Sequence, residues 1–154
     1  MSKLFNYYED DVDKVWYQSS NIKYSECIDN DNKPKTLKVV FSNGTQYQYD
    51  DVDVRDYLMF REDDSQGKAL NKFIKSKGYQ FTKLPNADLN LINEEYEFRT
   101  GNGLQIESFD SSSFRILDNK NNELYSIKNA NESSYEDMVK DILNAVGFNV
   151  KIKV

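Results

Sequence analysis

Asn43-Gly44, set between Thr36-Leu37-Lys38-Val39-Val40-Phe41 and Thr45-Gln46-Tyr47-Gln48-Tyr49, restricts the folds open to this chain more than any other feature. A dipeptide that tolerates positive φ, flanked by runs rich in β-branched and aromatic residues, is the strongest short-range hairpin signal. An isolated hairpin is marginal in water, so its strands need further elements to bury one face. Ile22, Tyr24 and Ile28 alternate just upstream, with Glu26 as a polar exception, and residues 29–34 supply a turn. A β-meander is therefore predicted from Ile22 to Tyr49.

After Tyr49 the period changes. Val54, Tyr57, Leu58 and Arg61 recur at i, i+3, i+4 and i+7, which predicts a helix capped by Asp51 or Asp53. A second helix is predicted from Ser65 to Ser76, with Ala69, Leu70, Phe73 and Ile74 on one side of the wheel and Lys68, Lys72 and Lys75 nearly opposite. Gly78 suits the position after its end, and residues 79–84 return as a strand. Near the start, Phe5, Tyr8, Val12 and Val15 are spaced for a helix over residues 5–16, with Glu9, Asp10, Asp11 and Asp13 as its solvated face. Beyond Pro85-Asn86, short strands are predicted near residues 95–100, 103–109, 113–118 and 122–127. Ser133 and Glu136 read as a capping box before an amphipathic helix carrying Met138, Val139, Ile142 and Leu143, and residues 148–154 alternate as a last strand. The expected fold class is α+β in three parts. A helical, aromatic arm (1–18) precedes an antiparallel β-meander with two helices (19–85). An acidic β-meander–helix–strand unit (86–154), expected as one helix on one antiparallel sheet, follows.

The chain contains no His and one Cys, Cys27, among its 154 residues. That removes Ser–His and Cys–His pairs, imidazole zinc sites, thiolate clusters and any intrachain disulfide. Cys27 lies among strand-like residues and reads as a small core hydrophobe. Carboxylate clusters at Glu9-Asp10-Asp11-Val12-Asp13, Asp50-Asp51-Val52-Asp53 and Glu62-Asp63-Asp64 have the donors for Mg²⁺, but they sit at helix starts or in loops where capping explains them. No catalytic residue, metal or cofactor is expected, and the chain reads as a binding protein rather than an enzyme. No apolar stretch approaches the ~20 residues that span a bilayer, so a cytoplasmic protein without membrane partners is expected. Net charge is −6, carried mostly by the second part: residues 1–85 hold 13 Lys+Arg and 14 Asp+Glu, residues 86–154 hold 7 and 12. A nucleic-acid contact would therefore need a local basic patch.

Ser19-Ser20-Asn21-Ile22, Lys35-Thr36-Leu37, Phe41 with Asn43-Gly44, and Tyr47-Gln48-Tyr49 are followed in order by Val52, Val54, Tyr57 and Leu58, then by Ser65-Gln66-Gly67-Lys68-Ala69-Leu70-Asn71-Lys72-Phe73-Ile74-Lys75. Over residues 19–84 this series resembles the KTSC domain. The resemblance implies a small binding module, alone in bacterial and phage proteins or appended to lysyl-tRNA synthetases, that contacts RNA and has no assigned chemistry. The opening MSKLFNYYEDDVDKVWY and the block DVRDYLMFREDDSQGKALNKFIK are similar to small RNA polymerase-binding (RpbA-type) proteins of large tailed phages.

Two surfaces compete for function. Met59 and Phe60 lie beside the apolar stripe of the first predicted helix and before three carboxylates, the pattern of a charge-rimmed interface. With Phe5 and Trp16 of the arm they form the expected protein-binding set, for a phage-encoded factor docking on a host complex such as RNA polymerase to modulate transcription. The alternative is an RNA or single-stranded nucleic-acid site in which Lys68, Lys72 and Lys75 meet phosphates and Tyr47 and Tyr49 offer stacking surface. The plain counter-reading makes those lysines a solvated helix face and the tyrosines core. A third reading, inhibition of a host defence system, rests on the acidic second part. Oligomeric state is not legible from the sequence.

Overall fold

A computed structural model gives the structure of the protein and describes residues 2–31, 33–101, 103–108, 113–127, 135–145 and 147–153. The fold class is α+β, as the pattern predicts, and the chain forms two units, Met1–Ile92 and Asn93–Val154.

The first unit is built on a six-stranded antiparallel sheet in the order β1-β2-β3-β4-β5-β6. Its strands are β1 (Lys3–Glu9), β2 (Val12–Tyr17), β3 (Ile22–Ile28), β4 (Lys35–Phe41), β5 (Gln46–Val52) and β6 (Phe81–Leu84). Asn43-Gly44 makes the β4–β5 connection. Gly44 takes φ +93°, and the Asn43 side-chain oxygen accepts the Thr45 N–H at 3.0 Å.

The helix expected over residues 5–16 is not formed, and neither is the arm. Those residues make the β1–β2 hairpin, turning at Asp10-Asp11 with φ 52° and 62°. Positive φ at both central residues matches the right-handed twist of the flanking strands, and Asp tolerates that conformation. The acidic run is thus a turn rather than a helix face.

Between β5 and β6 the chain makes a helical excursion over one face of the sheet. It comprises α1 (Val54–Glu62), α2 (Gln66–Ala69), a π segment (Leu70–Ile74) and a 3-10 turn (Lys75–Lys77). Asp53, not Asp51, caps α1 by accepting the Arg55 N–H at 2.8 Å. The buried Gln66 amide donates to the carbonyls of Phe60, Arg61 and Asp63, serving groups that the end of a helix leaves without partners. Val15, Ile22, Leu37, Val39 and Tyr49 of the sheet pack against Tyr57, Phe60, Leu70 and Ile74 in one core.

A third helix, α3 (Leu89–Thr100), replaces the strand expected over residues 95–100. Asp88 starts it, its carboxylate accepting the N–H groups of Asn90 and Leu91 at 3.0 and 3.3 Å. That cap and the following turns outweigh the short alternation of Glu95-Tyr96-Glu97-Phe98 that reads as a strand.

The second unit holds β7 (Gly103–Ser108), β8 (Phe114–Asp118), β9 (Glu123–Ile127), α4 (Tyr135–Ala145) and β10 (Asn149–Lys153), with sheet order β10-β7-β8-β9. The expected antiparallel sheet is in fact mixed, because β10 runs parallel to β7. A parallel pair needs a crossover, and the segment containing α4 supplies it. Gly103 permits the approach of Phe98, whose ring and carbonyl lie 2.5 and 2.7 Å from where a Cβ would stand. Ser133, the cap of the expected Ser133–Glu136 box, lies outside the described residues. No helix among the described residues is long and apolar enough to cross a membrane.

Candidate functional site

Cross-strand pairing assembles the site. Antiparallel register sets Tyr49 opposite Phe81 and Tyr47 opposite Lys83, and directly opposed residues share a face. Thr45, Tyr47 and Tyr49 are two apart, so they line the same side of the chain, the side over which the helices pack. The helical excursion ends before it covers β6. The rim left open is a groove of about 690 Å³ lined by Phe41, Asn43, Thr45, Tyr47, Tyr49, Lys75, Gly78, Tyr79 and Phe81. Its volume falls within the range of ligand-binding clefts.

The aromatic wall is continuous. Phe41 and Tyr47 meet edge to face with centroids 5.9 Å apart, Tyr47 and Phe81 do the same at 6.1 Å, and Tyr49 stands 6.0 Å from Phe81. Tyr49 is buried, which raises its phenol pKa, whereas Phe81 is 63% exposed. At the far end the Tyr79 hydroxyl accepts the Asp53 N–H and donates to Asp56, so that ring is clamped. Burial and then the Asp56 carboxylate push the Tyr79 phenol pKa upward. Lys75 is the only charged residue in the lining, in a chain whose net charge is −6.

Lys75 reaches the groove because the helix changes pitch before it. Its N–H bonds back to the carbonyls of both Leu70 and Asn71, the first of these the i→i−5 bond of a π turn. A wheel of constant 3.6 residues per turn, which aligns Lys68, Lys72 and Lys75, therefore does not hold across this segment. Lys68 and Lys72 are exposed but outside the groove, and the Lys72 ammonium lies 5.2 Å from the centroid of Phe73. The expected single lysine face is corrected to one groove lysine with two others elsewhere.

Residues 18–79 match the KTSC domain family. This segment is a KTSC domain. Every residue lining the groove except Phe81 lies inside the matched span. No curated protein matches the chain. Several of the KTSC residues prominent in the sequence are structural. Gln66 closes α1, and Gly67 lets α2 approach the Asn21 side chain, whose nitrogen lies 2.7 Å from the position of a Cβ.

The expected protein-binding set does not assemble. Phe60 is 0% exposed in the KTSC core and Trp16 is 2% exposed beneath Phe5 and Tyr24, while Met59 is 53% exposed. Phe5 is half-buried on β1. The pairing of Met59 with Phe60 as one surface is thus corrected, since neighbouring helix positions point about 100° apart. The carboxylates have structural duties. Asp13 accepts from Asn6, Tyr57 and Arg61, Glu62 pairs with Lys3 and Arg61, and Asp63 accepts the Ser65 N–H. Among the described residues no group of three or more metal-ligating side chains is assembled. Cys27 is buried, and burial pushes its thiol up to about 12. We expect the folded protein at pH 8 to resist alkylation by iodoacetamide and to react once unfolded, as mass spectrometry would show; rapid native labelling would contradict that burial.

The sequence singled out Tyr47, Tyr49 and Lys75, and the structure brings these three together. It assigns Phe41 and Asn43 only a place in the hairpin and the KTSC series, and assigns Phe81 no role in a site. The signal for Phe81 was its place in the strand predicted over residues 79–84, but only the register assigns it to Tyr49.

Proposed function

We propose that the KTSC domain is a non-catalytic module that binds single-stranded nucleic acid, RNA foremost, in the aromatic groove. The observation that carries this reading is a row of aromatic rings with a lysine and no carboxylate in the same lining. Bases stack on aromatic side chains whatever their identity, and a nearby ammonium meets the phosphate. Aromatic boxes also hold quaternary ammonium groups, but a lysine inside the box repels a cation. Net negative charge opposes long-range attraction to a polyanion, so affinity rests on local contacts and falls with salt.

Fluorescence anisotropy with a labelled single-stranded oligouridylate tests the proposal. Phe81→Ala is expected to cost about 1–3 kcal/mol of binding, the worth of one stacked base. Lys75→Glu is expected to weaken binding and to flatten the slope of log K against log salt by about 0.7, one phosphate contact. Lys68→Glu with Lys72→Glu, outside the groove, should change affinity less than Lys75→Glu alone. No binding by the wild type, or unchanged binding by Phe81→Ala, would remove the reading.

Docking on a host protein complex, RNA polymerase being the candidate, is a second reading. It is favoured by the apolar surface that Val54, Leu58 and Met59 leave exposed along α1.

A further inference from the structure

The six-stranded sheet has two edges, and they differ in kind. β6 is four residues long, carries Lys83 and is followed at once by Pro85. Short length, lysine and proline are devices that keep a sheet edge from pairing with another chain. β1, at the other edge, runs seven residues and is uncharged from Leu4 to Tyr8. Among the described residues no strand pairs with its outer side. Leu4 and Tyr8 are 47% and 58% exposed, and Asn6 between them is exposed as well.

The residues of β1 complement their own reverse. On a second copy laid antiparallel about a two-fold axis at Asn6, Leu4 stands opposite Tyr8, Phe5 opposite Tyr7, and Asn6 opposite its counterpart. Apolar side chains then meet apolar ones, and the aromatic pair occurs twice. At each end Lys3 of one copy comes beside Glu9 of the other, whereas parallel pairing in register would bring like charges together. The bulge between Lys3 and Phe5 bends the start of the strand, so the ladder is tightest around Asn6.

From this we infer that the chain self-associates through β1, two copies joining antiparallel into one twelve-stranded sheet. The occupant of the edge is a second copy because polarity and charge along β1 match those of the same strand reversed. Both helical excursions then cover the same face of the joined sheet. The grooves at the two β6 edges stay open, roughly 50 Å apart at ordinary strand spacing. A ladder this short buries less than a standard interface, so the dimer is weak and forms at about 10–500 µM. The inference does not depend on what the groove binds.

Sedimentation velocity of the full chain across that range is the test. The wild type is expected to move from the monomer mass to twice that mass as concentration rises. Leu4→Lys with Tyr8→Lys sets like charges opposite each other and should raise the midpoint by at least about tenfold. Leu4→Lys with Tyr8→Glu sets unlike charges opposite each other in the same register, so association returns and weakens with salt. Both positions are exposed, and thermal melts of dilute protein check that the β1–β2 hairpin is retained. A wild type that stays monomeric throughout overturns the inference without recourse to any variant. A dimer that survives the paired lysines is built elsewhere and overturns it too. So does a lysine–glutamate variant that stays monomeric, since the antiparallel register requires its association.

Discussion

Phe60→Ala is expected to lower the unfolding free energy by about 3–5 kcal/mol, while Met59→Ala changes it by no more than about 0.5 kcal/mol. The two residues are chain neighbours on α1, yet Phe60 is fully buried and Met59 is 53% exposed. The Phe60 ring meets Tyr17 edge to face at 5.8 Å, inside the cluster that joins the helical excursion to the sheet. Deleting it costs the transfer energy of the ring and also leaves a cavity, because close-packed neighbours relax only in part. At Met59 no comparable cavity opens. Urea denaturation of the two variants measures the contrast. Equal losses would mean that α1 presents a different face to the core. The result also bears on function: a loss of partner binding in Phe60→Ala would report unfolding, so of these two residues Met59 is the interpretable probe of a protein interface on α1.

The parts of the fold that were legible are those set by local chemistry. Asn43-Gly44 announces the β4–β5 turn through backbone freedom alone, and the alternating runs on either side need no distant partner to be read. Asp53 and the α1 stripe are local in the same way. The N-terminal hairpin was hidden because Phe5, Tyr8, Val12 and Val15 satisfy a helical spacing while Tyr7 and Tyr8 alternate buried and exposed as a strand requires. Asp10-Asp11 decides between the two, and the turn preference of Asp was outweighed by a spacing that let the acidic run read as a solvated helix face. The groove was half legible. Tyr47 and Tyr49 declare a shared face by their spacing, but Phe81 joins them through strand register and Lys75 through a change of helix pitch. Neither follows from a helical wheel.

Trp16→Ala is expected to destabilise the protein by about 3–5 kcal/mol, with Trp16→Phe costing nearer 1 kcal/mol. Trp16 is 2% exposed, with its ring 5.5 Å from Phe5 and 5.0 Å from Tyr24, and its indole N–H donates to the Ile92 carbonyl at 3.0 Å. Phe retains most of the aromatic contact and loses the hydrogen bond, so the pair of variants separates packing from the tie to α3. The expected ordering follows from magnitude, since a buried ring is worth more than a single neutral hydrogen bond in net terms. Thermal or urea unfolding reads both variants. A docking arm would behave in the opposite way, with stability held and partner binding lost, because a side chain that waits for a partner has no neighbours to lose. Trp16 already has them: β2 pairs with β1 on one side and β3 on the other, and the indole is spent within the sheet's own second face. The large apolar side chains that β1 leaves exposed are instead Leu4 and Tyr8, at 47% and 58% exposure.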